Sequence, residues 1–271
     1  MKQLSQRFPI WLCDIWGVVH NGEVPFPTAI EALTNHRKNG GNVILISNAP
    51  NISTSIINQL GHLKVSTEAY DTVVTSGDAT RDLISKFGGS KIFHIGTERD
   101  HSIFEGLAVT RVPLEQATSV VASGLFDENH ETANDYMPLL TQMKQHDRIM
   151  ICANPDKVVQ KGTRLVVCAG SVAELYSSMG GKVLMAGKPF PAIYDLALAK
   201  AEQVLGRAIS KSQILAIGDG PATDIQGATD FGLPCVFITG GINSGDDILG
   251  RVKKAIPQSN ILRSMVELDW A

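Results

Sequence analysis

Four short apolar runs in this 271-residue chain each end in a residue that can do chemistry on an anion. The first, Pro9-Ile-Trp-Leu-Cys-Asp14, ends in a carboxylate and continues as Ile15-Trp16-Gly17-Val-Val-His20-Asn-Gly22. The second, Val43-Ile-Leu-Ile-Ser47-Asn48, ends in a hydroxyl and an amide. The third, Leu184-Met-Ala-Gly-Lys188-Pro189, ends in a cation, and the fourth, Ile214-Leu-Ala-Ile-Gly218-Asp219, in an acid that Asp224 soon follows. A carboxylate that closes an apolar run ahead of a glycine turn is placed to attack as a nucleophile. A lysine can neutralise charge on an anionic group, and gathered acids suit a hard cation that takes oxygen ligands. Singly, each feature has a structural explanation: Ser-Asn caps a helix, Lys-Pro leads into one, and Gly-Asp-Gly-Pro makes a turn. Together and in this order they point to a site for phosphate and metal.

The elements that must position these residues are legible in the same pattern. Runs rich in Val and Ile alternate with amphipathic stretches, the signature of βα units and a parallel sheet, so the fold class is α/β. Residues 28–38 read as a helix stopped by Gly40-Gly41, 53–60 as another, and Pro191–Leu205 as a third with proline at its start. In open α/β sheets ligands bind beyond the carboxyl ends of the strands, and Asp14, Ser47 and Asp219 each occupy such an end. The middle of the chain has strand-like runs of its own at 91–95, 119–122, 148–153 and 164–168, enough for a small α/β unit.

Composition narrows the function classes. A hydrophobic content of 44% supports a well-buried interior. A formal charge of −3 and a pI near 6.2 provide no long-range attraction for nucleic acid or an anionic membrane. The N-terminus lacks the pattern of a signal peptide and no apolar stretch reaches about 18 residues, so the expected compartment is cytoplasmic. Cys13, Cys152, Cys168 and Cys235 stand singly in apolar runs and read as buried thiols. Phosphate loops, dinucleotide fingerprints, zinc-protease helices and nucleophile elbows are all absent. Receiver domains also carry Asp, Ser and Lys at strand ends, but their acid pair precedes the phosphorylated Asp, whereas here it comes last.

The order acid, hydroxyl, lysine, acid pair resembles the haloacid-dehalogenase-like (HAD) phosphohydrolase superfamily, whose motifs are Asp-x-Asp-Gly, Ser/Thr, Lys, and Gly-Asp with a further Asp. The resemblance is closest to subfamily IIA, the sugar-phosphatase and nucleotide-phosphatase type, which inserts a C2-type cap between the second and third motifs. Asn154-Pro155-Asp156 looks like the cap loop and Gly187-Lys188-Pro189 like the third motif, so nearly the whole chain is covered. This resemblance implies a Rossmann-like parallel-sheet core, residues 1–80 and 184–271, with an inserted α/β cap domain, residues 81–183. It implies a Mg²⁺-dependent phosphatase that hydrolyses a small phosphomonoester, a sugar phosphate or nucleotide, through an aspartyl-phosphate on Asp14. The implied Mg²⁺ ligands are Asp14, the backbone carbonyl of Trp16, and Asp219, with Asp224 as a direct ligand or a partner that orients the others. Ser47 and Asn48 would bind the phosphate, Lys188 would neutralise it, and Asn154 and Asp156 would contact substrate. The expected partner is a small phosphorylated metabolite, not a nucleic acid polymer or a membrane, and the family's habit of pairing through its cap implies a homodimer.

Trp16 departs from this pattern. The family's second Asp protonates the leaving alkoxide and later activates water; an indole N–H does neither. Loss of general acid–base catalysis costs ~10²–10⁴ in rate. His20 is the nearest titratable substitute, with an ordinary pKa suited to proton transfer; the plainer and favoured reading is a surface or capping histidine of the loop after the first strand. Asp156 is a second substitute. Two functions therefore stand: a phosphatase, slowed at this step, or a catalytically weakened HAD protein that binds metal and a phosphorylated ligand in a regulatory role.

Overall fold

Consecutive apolar residues without polar alternation require a strand covered on both faces, and Ile10–Asp14 (β1) meets that requirement with every residue buried. The computed structural model describes residues 1–161, 164–241 and 247–271, with the backbone alone at 160, 161 and 164. Within them the chain divides into two compact units, the first made of residues 1–47, 54–74 and 194–271 and the second of 48–53 and 75–193.

The first unit is built on β1, β2 (Asn42–Ser47), β3 (Thr72–Thr75), β11 (Ile214–Gly218), β12 (Cys235–Ile238) and β13 (Ile261–Met265), in the order β13-β12-β11-β1-β2-β3. The pairings from β13 through β2 are parallel. The helix Pro27–Lys38 follows β1; proline opens it, His36, Arg37 and Lys38 favour its negative end, and Gly40 turns out of it at φ +85°. Its buried His36 stacks flat on Trp11, with ring centroids 3.8 Å apart. The expected helices at 28–38 and 53–60 appear as Pro27–Lys38 and Ser53–His62, and Pro191–Leu205 appears as read.

The second unit has its own parallel sheet of β4 (Lys91–Ile95), β5 (Thr110–Arg111), β6 (Ser119–Ala122), β7 (Ile149–Cys152) and β10 (Val183–Met185), in the order β10-β7-β6-β4-β5. Its strands alternate between two apolar clusters. Val120, Ala122, Met150 and Cys152 pack with Leu140, Val172 and Tyr176 on one face, while Val121 and Ile151 pack with Ile84, Ile103 and Phe104 on the other. That is the period-two pattern of a sheet covered on both sides. β8 (Val158–Lys161) and β9 (Arg164–Val167) form a separate antiparallel pair.

The second unit is wider than the expected cap span of 81–183. The helix Ser76–Leu83 belongs to it because Arg81 Nη1 donates to the carbonyls of Ser102, Ile103 and Glu105. At the other end Val183, Leu184 and Met185 pair with Met150, Ile151 and Cys152, so the apolar run leading to Lys188 is a strand of the second sheet. A run this short carries no mark of which sheet it will join. Among the described residues no helix is long and apolar enough to cross a membrane. All four cysteines are buried and unbridged, and burial pushes the thiols of Cys152, Cys168 and Cys235 up to about 12, so they are inert.

Candidate active site

Strand register sets three of the site residues side by side. Asp14 pairs with Ile46 on β2 and stands one step beyond the Cys13–Ile217 pair with β11. Ser47 and Asp219 are therefore the residues that leave the two flanking strands just past Asp14. The chain moves from β1 to β2 on one side and returns through β11 on the other, so this is the topological switch point where parallel sheets bind ligands.

Asp14, Asp219 and Asp224 are no more than 5% exposed, and each offers a carboxylate oxygen within 4.8 Å of the others. Asp224 is held in place by Gly220 N at 3.1 Å and by Thr223 Oγ1 at 3.2 Å, both donating to its Oδ2. It sits in a wide π-type turn, Pro221–Ile225, a form frequent at functional sites. The Asp219 carboxylate lies between two glycines: a Cβ on Gly17, whose φ is +86°, or on Gly241 would collide with Asp219 Oδ2. The importance of Gly241, just past β12, escapes a reading by motif; its only sequence signal is a glycine pair after a strand end. Three buried carboxylates repel one another. An all-oxygen set of this kind fits a hard divalent cation such as Mg²⁺, bound by a few carboxylates and water.

Trp16 and His20 shape the loop beyond β1. The amides of Val19 and His20 donate to Ile15 O, and Gly17 N donates to His20 O at 2.8 Å. A Cβ on Gly22 would lie 3.2 Å from Trp16 Nε1, so the indole edge lies close against this loop. His20 is 3% exposed, and its Nδ1 accepts a hydrogen bond from Gly22 N at 2.8 Å. Burial lowers its pKa to about 4. Of the readings the sequence offers, His20 fits the capping histidine, buried and neutral and holding the turn, and not the surface one or the one with an ordinary pKa.

The second unit gathers Asn48, Asn154, Asp156 and Lys188. Asn48 brackets the lysine backbone: its Oδ1 accepts from Lys188 N at 2.7 Å and its Nδ2 donates to Lys188 O at 3.0 Å. The same Nδ2 reaches Asp156 Oδ1 at 3.0 Å, and Asp156 N donates to Asn154 Oδ1 at 3.1 Å. Gly187 leaves the room this requires, because a Cβ there would press on Asn48 Oδ1 and Ser76 Oγ. Lys188 is 2% exposed, and a lysine this buried is positioned rather than solvated. The side chain of Asn48 is thus a structural bridge, a role the sequence left unseen.

Comparison with known proteins identifies the family and the fold. Residues 11–110 match the sequence profile of haloacid dehalogenase-like hydrolases, and residues 185–268 match a second HAD-hydrolase-like profile. A haloacid dehalogenase-like family hydrolase from Brucella suis 1330 is 42% identical, with a TM-score of 0.89 over 99% of this chain and 98% of that one. The ribonucleotide monophosphatase NagD of Escherichia coli K12 is 26% identical over 241 residues, 88% of this chain and 90% of its own. A glycerol phosphate phosphatase from Mycobacterium tuberculosis, solved in complex with magnesium, shares the fold at a TM-score of 0.76 and 22% identity over 98% of this chain and 77% of that one.

Proposed function

Because the chain belongs to the haloacid dehalogenase-like hydrolase family, we propose that it is a phosphatase acting on a small phosphomonoester with the help of Mg²⁺. The observation that carries this reading is the convergence of the Asp14, Asp219 and Asp224 oxygens within 4.8 Å at the switch point of a parallel sheet. Asp14, Asp219, Asp224 and the Trp16 carbonyl would hold the cation, which supplies positive charge against the acids and the phosphate oxygens when bound. The nucleophile is Asp14. Its oxygen forms a bond to phosphorus while the bond to the leaving alcohol oxygen breaks and takes its electron pair away. Water then attacks the phosphorus of the aspartyl-phosphate, freeing Asp14 and inorganic phosphate. By the family resemblance Ser47 and the Asn48 backbone would hydrogen-bond the transferring group, Lys188 would neutralise charge on it, and Asn154 and Asp156 would contact the substrate.

The leaving alkoxide needs a proton that Trp16 does not give, and we assign none to His20, which is neutral and tied to its loop. This supports turnover that is slow on poor leaving groups. It also supports a second reading, in which the protein binds metal and a phosphorylated ligand as a regulator. Release of phosphate from a panel of phosphomonoesters with Mg²⁺ separates the two. The enzyme reading expects release that vanishes in Asp14→Asn while the fold persists. Release that survives in the folded variant overturns the covalent route, and no release from any ester by the wild type favours the regulator.

A further inference from the structure

The loop beyond β1 bears on both halves of a covalent phosphoryl transfer. Loading Asp14 needs a proton for the leaving oxygen when that oxygen departs as an alkoxide, and unloading it needs a base for the attacking water. The first need disappears when the leaving group is stable without a proton. The second never does.

The loop supplies no such base. The Trp16 indole donates only, with no lone pair for a proton, and its Nε1 edge lies close to Gly22, where a Cβ would stand 3.2 Å away. His20 Nδ1 accepts from Gly22 N at 2.8 Å, which assigns the ring hydrogen to Nε2 and leaves no ring nitrogen ready to take a proton. The loop is closed by Gly17 N donating to His20 O and Phe26 N to Val19 O, both at 2.8 Å, and by bridges from His20 to Trp16 and Pro25. These bonds fix Trp16 and His20 where they stand. Among the described residues of the first unit, the other buried titratable side chains are the three acids assigned to the cation and His36, which is stacked on Trp11 and bonded to Ser5 Oγ.

We propose that Asp14 is loaded by acyl phosphates and then keeps the phosphoryl group, so that the protein spends its working life as a stable aspartyl-phosphate. The proposal rests on the covalent phosphatase reading and goes beyond it in the donor class and the limiting step. In loading, an Asp14 oxygen bonds to phosphorus, the bond to the donor's carboxylate oxygen breaks, and the carboxylate leaves with the electron pair. With a carboxyl pKa of about 4 it needs no proton. One acyl phosphate replaces another, so the exchange is nearly balanced in free energy. In unloading, a water oxygen bonds to phosphorus, Asp14 recovers its electron pair, and the water proton passes to solvent without a base. That loss costs ~10²–10⁴ in rate. Against a typical turnover of about 10 s⁻¹, it gives the aspartyl-phosphate a half-life of about 7 s to about 700 s. Loading at the ordinary rate then holds on the order of 99% of the protein phosphorylated. An alkyl ester slows both steps and transfers uphill to a carboxylate, so nothing accumulates.

Intact-protein mass spectrometry after an acid quench tests this without relying on turnover. Wild type with Mg²⁺ and acetyl phosphate should gain the mass of a single phosphoryl group, and with glycerol 3-phosphate none. Hydroxylamine, which cleaves acyl phosphates, should remove it, and Asp14→Asn should gain none. Loading with radiolabelled acetyl phosphate and chasing with excess unlabelled donor reads the half-life, expected within the window above. Trp16→Asp should shorten it by ~10²–10⁴; if that variant does not fold, the wild-type half-life and the split between donors decide. An adduct that survives Asp14→Asn, that forms equally from glycerol 3-phosphate, or that lasts as long in folded Trp16→Asp overturns the proposal. Steady phosphate release with no adduct overturns it and leaves the phosphatase reading standing. Neither adduct nor release from either donor removes both.

Discussion

Removing one acid from the site should make the metal-free protein more stable and the metal-loaded protein less so. Asp14, Asp219 and Asp224 place oxygens within 4.8 Å of one another in a buried setting. At an effective dielectric of about 20, each like-charged pair at that distance costs roughly 3.5 kcal/mol. Asp219 takes part in two of the three pairs, so Asp219→Asn relieves up to about 7 kcal/mol of repulsion. Proton uptake by the crowded acids offsets much of this, leaving about 2 kcal/mol of net relief, or a melting temperature about 5 °C higher for a protein of this size. Saturating Mg²⁺ reverses the order. At one hundred times its dissociation constant the cation adds about 2.7 kcal/mol to the wild type, and far less to a variant that has lost a ligand. Scanning calorimetry of both proteins, in EDTA and in Mg²⁺, reads both effects. If the metal-free variant melts below the metal-free wild type and gains as much from Mg²⁺, the three acids are not a cation site.

Two further expectations concern the residues around that site. Trp16→Asp should restore a proton donor and raise turnover of alkyl phosphates by ~10²–10⁴ while changing 4-nitrophenyl phosphate little, because a phenolate leaves without protonation; an equal effect on both esters would show that Trp16 does not limit proton transfer. His20, His36 and His94 are all held down to about 4 by burial. The unfolded chain therefore binds protons that the native state refuses between about pH 6.5 and 4, so stability is full above that window and falls as pH drops through it, by about 1.4 kcal/mol per pH unit for each histidine. His36→Phe keeps the stack on Trp11 and should flatten that slope by one proton in urea titrations run across the window; an unchanged slope would mean that His36 does not titrate on unfolding.

The sequence by itself determined the strand ends. Asp14, Ser47 and Asp219 were legible because a strand buried on both faces must be a continuous apolar run, and the first polar residue after it marks the sheet edge. The helix Pro191–Leu205 was legible because proline fixes a helix start locally. Both signals are written in neighbouring residues. Other features were decided only when distant segments met. The run before Lys188 joined the second sheet because Val183–Met185 found β7, a choice made by long-range pairing. His20 turned out buried and neutral, and its loop close to Trp16, because the chain folds back on itself between Ile15 and Pro25. Gly17 and Gly241 flank one carboxylate from opposite parts of the chain, and Asn48 ties Lys188 from 140 positions away. The cavity of the second unit likewise needs β4, β6 and β7 to lie side by side before Arg99, Ser123 and Asn154 share a wall. Periodicity and turn chemistry act over a few residues, whereas a cavity, a pKa and a close approach are set by what the rest of the chain brings near.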